Sequence, residues 1–260
     1  MKTVTATQFR AALGLTAARF NDLRWSNRLE FPIPVDYRNG EPLFHEEHAQ
    51  LYADLRRLRQ VMSPLQQGYQ SLIQARVCLA QEKAACKALA VFFESLAVCP
   101  TTENLIARAQ RYNFKLPSIA ANFKKALKVA QSEFVSFSAY ASVNPDDEAI
   151  NGIAAKLGLL LTELKARPDF TKTYQLDIEA WQIPTSPDEL QEFQDDCADR
   201  AAHEREQAQD CRDQLTENES DALMMRDWHQ DYKAMVGQKR NRLMKLSREF
   251  IMDSAAGASA

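Results

Sequence analysis

The run Thr5-Ala6-Thr7-Gln8-Phe9-Arg10-Ala11-Ala12-Leu13-Gly14-Leu15-Thr16-Ala17-Ala18-Arg19-Phe20-Asn21-Asp22-Leu23-Arg24-Trp25 decides how the N-terminal part reads. Thr5 and Gln8 have capping-box spacing, which predicts a short helix from Ala6. Gly14 ends it, because glycine reaches the left-handed conformation without steric cost. Thr16 can cap a second helix with its hydroxyl. Phe20 and Leu23 lie three apart and face inward with Phe9 and Leu13. That leaves Arg19, Arg24 and Arg28 largely on outer positions. Two short helices, a glycine-containing turn and a basic second helix form the helix-turn-helix pattern.

The chain after Trp25 extends the pattern. Pro32 and Pro34 stop the helix. Asn39-Gly40 is a strong hairpin signal, since both residues tolerate positive φ. Extended segments 33–38 and 41–44 would form a small wing around it. His45-Glu46-Glu47 then opens a further helix, with acids where the helix dipole favours them, running through Leu51, Leu55 and Leu58.

In this order the residues resemble the winged-helix domain of the MerR and excisionase group. Leu13-Gly14-Leu15-Thr16 is similar to that group's turn. Phe20-Asn21-Asp22-Leu23-Arg24-Trp25 falls where its recognition helix carries arginine and aromatics. Asn39-Gly40 is placed like the wing tip, and Phe44-His45-Glu46-Glu47-His48-Ala49-Gln50-Leu51 resembles the group's aromatic residue and acidic helix start. The resemblance covers residues 3–60. It implies a recognition helix over 17–28 that enters the major groove of double-stranded DNA. The DNA-facing set is Thr16, Arg19, Asn21, Arg24 and Arg28, with Arg38, Asn39 and Gly40 at the wing. One departure is Glu41-Pro42-Leu43, where the group usually has an arginine and an aromatic. Another is the charge of residues 1–60, nine Lys/Arg against seven Asp/Glu, a net of only +2.

The whole chain has 260 residues, 45% of them hydrophobic, and only seven glycines. With abundant Ala, Leu, Gln and Glu, that composition argues for a mostly helical protein. No apolar run reaches the ~18 residues of a membrane helix, and Met1-Lys2-Thr3-Val4-Thr5-Ala6 lacks a signal-peptide core. The expected location is the cytoplasm, on the nucleoid if DNA is bound. Cys78, Cys86, Cys99, Cys197 and Cys211 are odd in number and contain no C-x-x-C, so they read as small buried hydrophobes.

The remainder divides by its capping signals. Ser63-Pro64-Leu65-Gln66 has an N-cap, an N1 proline and a capping-box glutamine, and so predicts a new helix toward Cys99. Residues 103–114 read as a short helix. Pro117-Ser118 starts another, ending near Ala141, and Asn144-Pro145-Asp146-Asp147-Glu148 is a further capped start. Residues 167–184, with Trp181, are the least regular. Ser186-Pro187-Asp188-Glu189 opens the longest element. Its apolar stripe runs through Leu190, Phe193, Cys197, Ala201, Ala208, Cys211, Leu215, Ala222, Met225, Trp228, Tyr232, Met235, Leu243, Leu246 and Phe250, interrupted by Glu204, Asn218 and Lys239. Steps of three and four suit a coiled coil or one long bundle helix. A break near 216–221 would turn it into a hairpin, with Ser220 as the new cap. The expected architecture is therefore all-α. It has an N-terminal winged helix-turn-helix over 1–62, a helical bundle over 63–184, and a long amphipathic helix or hairpin over 185–253 for oligomerisation or partner binding. A disordered tail would occupy 254–260.

Charge is sorted along the second half. Residues 187–231 hold fifteen acids and four arginines, whereas 233–248 hold six Lys/Arg and no acid. Residues 104–132 also hold six Lys/Arg and no acid, with Tyr112, Phe114 and Phe123 among them. Such stretches are either nucleic-acid surfaces or, as favoured here, partners of the acidic stretch.

Catalytic signatures are missing. There is no glycine-rich phosphate loop and no nucleophile elbow. His45-Glu46-Glu47-His48 lacks the zinc-protease spacing. No catalytic residue, metal or cofactor is expected. The leading expectation is a sequence-specific DNA-binding regulatory or accessory protein of bacterial or phage type, acting as a dimer through its helical region. The alternative, favoured by the low basic balance and by Glu41-Pro42-Leu43, is a protein–protein interaction module. It would be an anti-factor or scaffold whose protein partner docks on the winged helix and on residues 187–250. A thiol- or metal-sensing regulator is a third reading.

Overall fold

The computed structural model describes residues 2–26, 30–112, 116–167 and 184–257, without the side chains of 110–112 and 250–257. The fold is mostly helical, with one small antiparallel sheet. In chain order it runs β1 (Thr3–Thr5), α1 (Ala6–Ala12), α2 (Ala17–Ser26), β2 (Asp36–Arg38), β3 (Glu41–His45) and α3 (Glu46–Ala97). Then come α4 (Thr102–Tyr112), α5 (Leu116–Ser142), α6 (Glu148–Ala166), α7 (Pro187–Glu217) and α8 (Glu219–Gly257). Two compact units divide the chain: Met1–Leu65 with Asp227–Ala260, and Gln66–Arg226. The expected boundaries lay at 62/63 and 184/185.

The local signals at the N-terminus act as read. Gln8 N–H donates to Thr5 Oγ1 at 3.2 Å while Thr5 N–H donates to Gln8 Oε1 at 2.9 Å, a complete capping box on α1. Gly14 has φ +63°, and Thr16 Oγ1 accepts the Arg19 N–H at 3.3 Å at the start of α2. Asn39 and Gly40, with φ of 52° and 80°, turn β2 into β3. The third strand was not expected. Thr3-Val4-Thr5 pairs with Leu43–His45, so the sheet order is β1-β3-β2. Pro42 lies one residue beyond the stretch that β1 pairs with, so its missing N–H costs no bond to that strand.

The first unit closes around aromatic rings. Phe9, Phe20, Phe31, Phe44 and Tyr52 are all buried, and Leu55 and Leu243 join them. Leu243 comes from α8, nearly two hundred residues away, and Val236 and Leu246 pack beside it. In α8 it is Val236 that packs on this core, while Met235 of the expected stripe is 40% exposed.

Pro64 is a correction. It sits inside α3, a helix of 52 residues, and starts nothing. Proline in a helix interior costs ~3 kcal/mol or more. Buried Leu51, Tyr52 and Leu55 on one side and Leu65, Leu72 and Ala75 on the other hold the helix through it. Packing overrides the local stop signal.

In the second unit, α3 and α7 run antiparallel. Arg76 donates to the Leu215 carbonyl at 2.9 Å, and Gln194 donates to the Cys99 carbonyl at 2.7 Å. α7 opens with the expected box, Glu189 N–H on Ser186 Oγ and the Glu189 carboxylate on Ser186 N–H. The stripe residues Cys197, Ala201, Ala208, Cys211, Ala222 and Met225 are buried inside this unit. Intrachain packing therefore accounts for them, and the stripe no longer argues for a second copy. Glu204, expected to interrupt the stripe, is buried with it. The expected break at 216–221 is a single residue, Asn218, with φ −82° and ψ 1°. Asn218 N–H still reaches Gln214 O and Ala222 N–H reaches Asn218 O, both four residues back. The helical path is jogged rather than reversed, so no hairpin forms, and Ser220 lies inside α8 rather than at its cap. That helix continues to Gly257, beyond the boundary set for a disordered tail. Trp181 and the rest of 168–183 lie outside the described residues. Among the described residues no helix is long and apolar enough to cross a membrane.

Gly68 of α3 shows how tightly the second unit is filled. A Cβ there would come within 2.5 Å of Met225 Cε and 2.6 Å of the buried Phe137 ring. Replacing a helical glycine by alanine ordinarily gains up to ~1 kcal/mol of propensity. Overpacking against a fixed ring costs ~1–3 kcal/mol, so the clash wins. Gly68→Ala is expected to lower the midpoint of chemical unfolding, read by far-UV circular dichroism in urea.

Candidate nucleic-acid interface

α2 is held by one buried side, and this decides what it can present. Phe20 is 4% exposed and Leu23 is half-buried on the same core. At ~100° per residue, the opposite side of the helix carries Ala18, Asn21, Asp22 and Trp25, all exposed. Arg19 and Arg24 fall on the two flanks rather than at the centre. Thr16 is exposed, and its hydroxyl oxygen is engaged as the cap. Arg28 lies outside the described residues.

A hydrogen bond joins α2 to the hairpin. Arg24 Nη2 donates to Tyr37 Oη at 3.4 Å, and the Arg24 guanidinium also lies 5.9 Å from the Trp25 ring centroid. Arg38, Asn39 and Gly40 at the turn are exposed. The structure thus brings Arg19, Asn21, Arg24, Arg38, Asn39 and Gly40 into one compact unit, with Arg24 linked directly to the hairpin. It adds two aromatic residues absent from the expected set, Trp25 (63% exposed) and Tyr37 (58% exposed). Their signal was present in the sequence: a tryptophan one position after Arg24, and a tyrosine two before the Asn-Gly turn.

Glu41 has a local explanation. Its Oε1 accepts the Thr7 backbone N–H at 2.7 Å, at the first turn of α1. Hydrogen bonding from Thr7, ahead of the other causes, holds its carboxyl below the usual range. The residue that departs from the expected wing chemistry therefore serves as a cap for α1.

Three acids of the N-terminal segment are paired with cations of α8. Glu30 is bridged by Arg59 at 2.7 Å and Arg240 at 2.7 Å. Lys239 pairs with Asp54 at 2.9 Å, and Arg242 pairs with Glu47. Half of the basic stretch 233–248 is thus matched to acids of the N-terminal segment, not to the acidic stretch 187–231. Counted over the whole unit, fifteen Lys/Arg stand against eleven Asp/Glu, a net of +4.

The other basic stretch loses one member of its aromatic set, since Phe123 is buried. The side chains of Tyr112 and Phe114 lie outside the described residues. All five cysteines are buried and free. Burial pushes the Cys78 thiol to about 12 and those of Cys197 and Cys211 to about 11, and it raises Cys86 as well. Such thiols stay protonated and unreactive. Among the described residues no cluster of His, Cys, Asp or Glu could hold a metal ion.

Compared with family models, curated proteins and solved structures, the chain has no match.

His45 and His48 lie at the junction of β3 and α3, both buried, with ring centroids 5.1 Å apart. Desolvation, and then the charge of His45, hold the His48 imidazole below its usual 6.5. Protonation is harder in the fold than in the unfolded chain. This contribution to stability is complete above pH 6.5 and falls as pH drops below it. Glu30 and Asp54, held low by Arg59 and Lys239, contribute losses only below their ordinary values of 4.5 and 3.8. The thermal midpoint should therefore fall between about pH 7 and about pH 5.5, and His48→Gln should flatten that window.

Proposed function

We propose that the first unit is a winged helix-turn-helix that binds double-stranded DNA through α2 and the β2–β3 turn. The observation that carries this reading is the exposed side of α2. A helix ~10–12 Å across fits a major groove ~12 Å wide. In that position the two flanks face the two phosphate backbones, and the outward side faces the base edges. Arg19 and Arg24 then act mainly as phosphate contacts, and Asn21, whose amide suits adenine, reads sequence. Arg38 reaches the backbone from the turn, and the net +4 of the unit supplies attraction. The role is regulatory or accessory, without catalysis.

A second reading rests on a specific observation. Trp25 and Tyr37 are exposed on either side of Arg24, and Trp, Tyr and Arg are the residues that dominate protein-binding hot spots. In that case α2 docks on a protein, and Asp22 on its outward side no longer has to sit in a groove lined by phosphates.

Electrophoretic mobility shifts on fragmented genomic DNA at two salt concentrations separate the readings. Arg19→Ala and Arg24→Ala should weaken binding about equally for all fragments and reduce the salt slope by about one each. Asn21→Ala should instead relax the preference among fragments, by ~1–3 kcal/mol for the favoured site. A wild-type protein with no salt-dependent binding sinks the DNA reading and leaves the protein-docking one.

A further inference from the structure

The second unit is acidic overall, twenty-four Asp/Glu against seventeen Lys/Arg, yet one groove in it is strongly positive. It lies between the antiparallel helices α3 and α7 and has a volume of about 530 Å³. Lys83 and Lys87 stand one turn apart on α3, and Arg212 faces the same groove from α7. Among the described residues no carboxylate pairs with any of these three cations. At the other end Arg205 is paired with Glu94. Between the ends, Ala90, Val91 and Ala208 form an apolar floor, with Val91 59% exposed. Three cations lining one groove repel one another. They do so beside a helix rich in acids that could have neutralised them, as Glu94 neutralises Arg205.

We propose that this groove binds a small organic phosphate, with its dianionic head on Lys83, Lys87 and Arg212 and its apolar or planar body on Ala90, Val91 and Ala208. The arginine fork and two ammonium groups match the charge and the several oxygens of a phosphate. The volume lies within the ~300–1,000 Å³ of small-molecule sites. A nucleic-acid strand fits the surroundings less well. The far end of the groove is closed to further phosphates by the Glu94–Arg205 pair, and exposed Glu206, Asp210 and Asp213 follow the lining residues Arg205, Gln209 and Arg212 in sequence, an acidic surround for a continuing phosphate backbone.

The test is isothermal titration of the full chain with adenosine monophosphate, with inorganic phosphate and with a single-stranded oligonucleotide. Adenosine monophosphate should bind saturably, and more tightly than inorganic phosphate because only it covers the apolar floor. Lys87→Ala/Arg212→Ala should weaken it at least about ten-fold, while Lys87→Arg should retain it. Circular dichroism establishes that the variants are folded, since all these side chains are on the surface. Arg19→Ala/Arg24→Ala should bind adenosine monophosphate like the wild type, which keeps this site distinct from α2. The proposal is overturned by any of three results: no saturable binding of adenosine monophosphate at millimolar concentration, binding unchanged in Lys87→Ala/Arg212→Ala, or loss in that variant of oligonucleotide binding alone.

Discussion

The Phe9 ring is the contact on which the N-terminal unit depends. It meets Phe20, Phe31, Phe44 and Tyr52 at centroid distances of 5.3 to 6.0 Å, mostly edge-to-face. Those four residues belong to α2, to the segment before β2, to β3 and to α3. One side chain therefore couples α2, β3 and α3 with the segment before β2. Edge-to-face pairs add ~0.5–1.5 kcal/mol each beyond their buried area. They also fix ring orientation, and through Phe20 they set which side of α2 faces out. The exposed positions of Asn21 and Trp25 are consequences of where Phe20 is held.

α8 completes this unit in two ways. Leu243 enters the aromatic core, and Lys239, Arg240 and Arg242 reach Asp54, Glu30 and Glu47. Ion pairs open to solvent on at least one side, as these are, add little stability, on the order of 1 kcal/mol or less. Their larger effect is on the field. Three of the seven acids among residues 1–60 are neutralised by cations from the far end of the chain, and the unit's balance rises from +2 to +4. A low local charge was the main physical objection to a DNA-binding face, and it weakens once the unit is counted as it folds.

The features legible in the sequence were those whose partners lie three or four residues apart. Thr5 with Gln8, Thr16 with Arg19, Asn39-Gly40 and Ser186 with Glu189 all form as their spacing implies. The misreadings share one cause, which is that distant packing outweighs a local signal. Pro64 looks like a helix start, but the buried residues on both sides keep α3 continuous. The α7 stripe looks like a dimer seam, but its small buried residues, Ala201, Ala208 and the two cysteines, are used within the chain. Glu41 looks like a poor wing residue because its partner, the Thr7 amide, is thirty-four positions away. The pairing of Thr3–Thr5 with β3 and the return of α8 to Phe9 were illegible for the same reason. Neither leaves a periodic trace in its own segment.

Charge separates the two units. The first carries +4 and the second −7, on one chain. Nonspecific affinity for DNA follows the number of phosphates neutralised, and the DNA reading implies a small number, because Arg240, Arg242 and Lys239 are occupied by acids of their own unit. Under the DNA reading, the acidic second unit lowers sequence-independent attraction further. Discrimination then has to come from the outward side of α2, where Asn21 offers an amide, Asp22 an acceptor suited to the amino group of cytosine, and Trp25 an apolar plane. On that reading, a helix whose described arginines lie on its flanks, in a protein whose total charge is −3, is built for selectivity at modest affinity rather than for coating DNA.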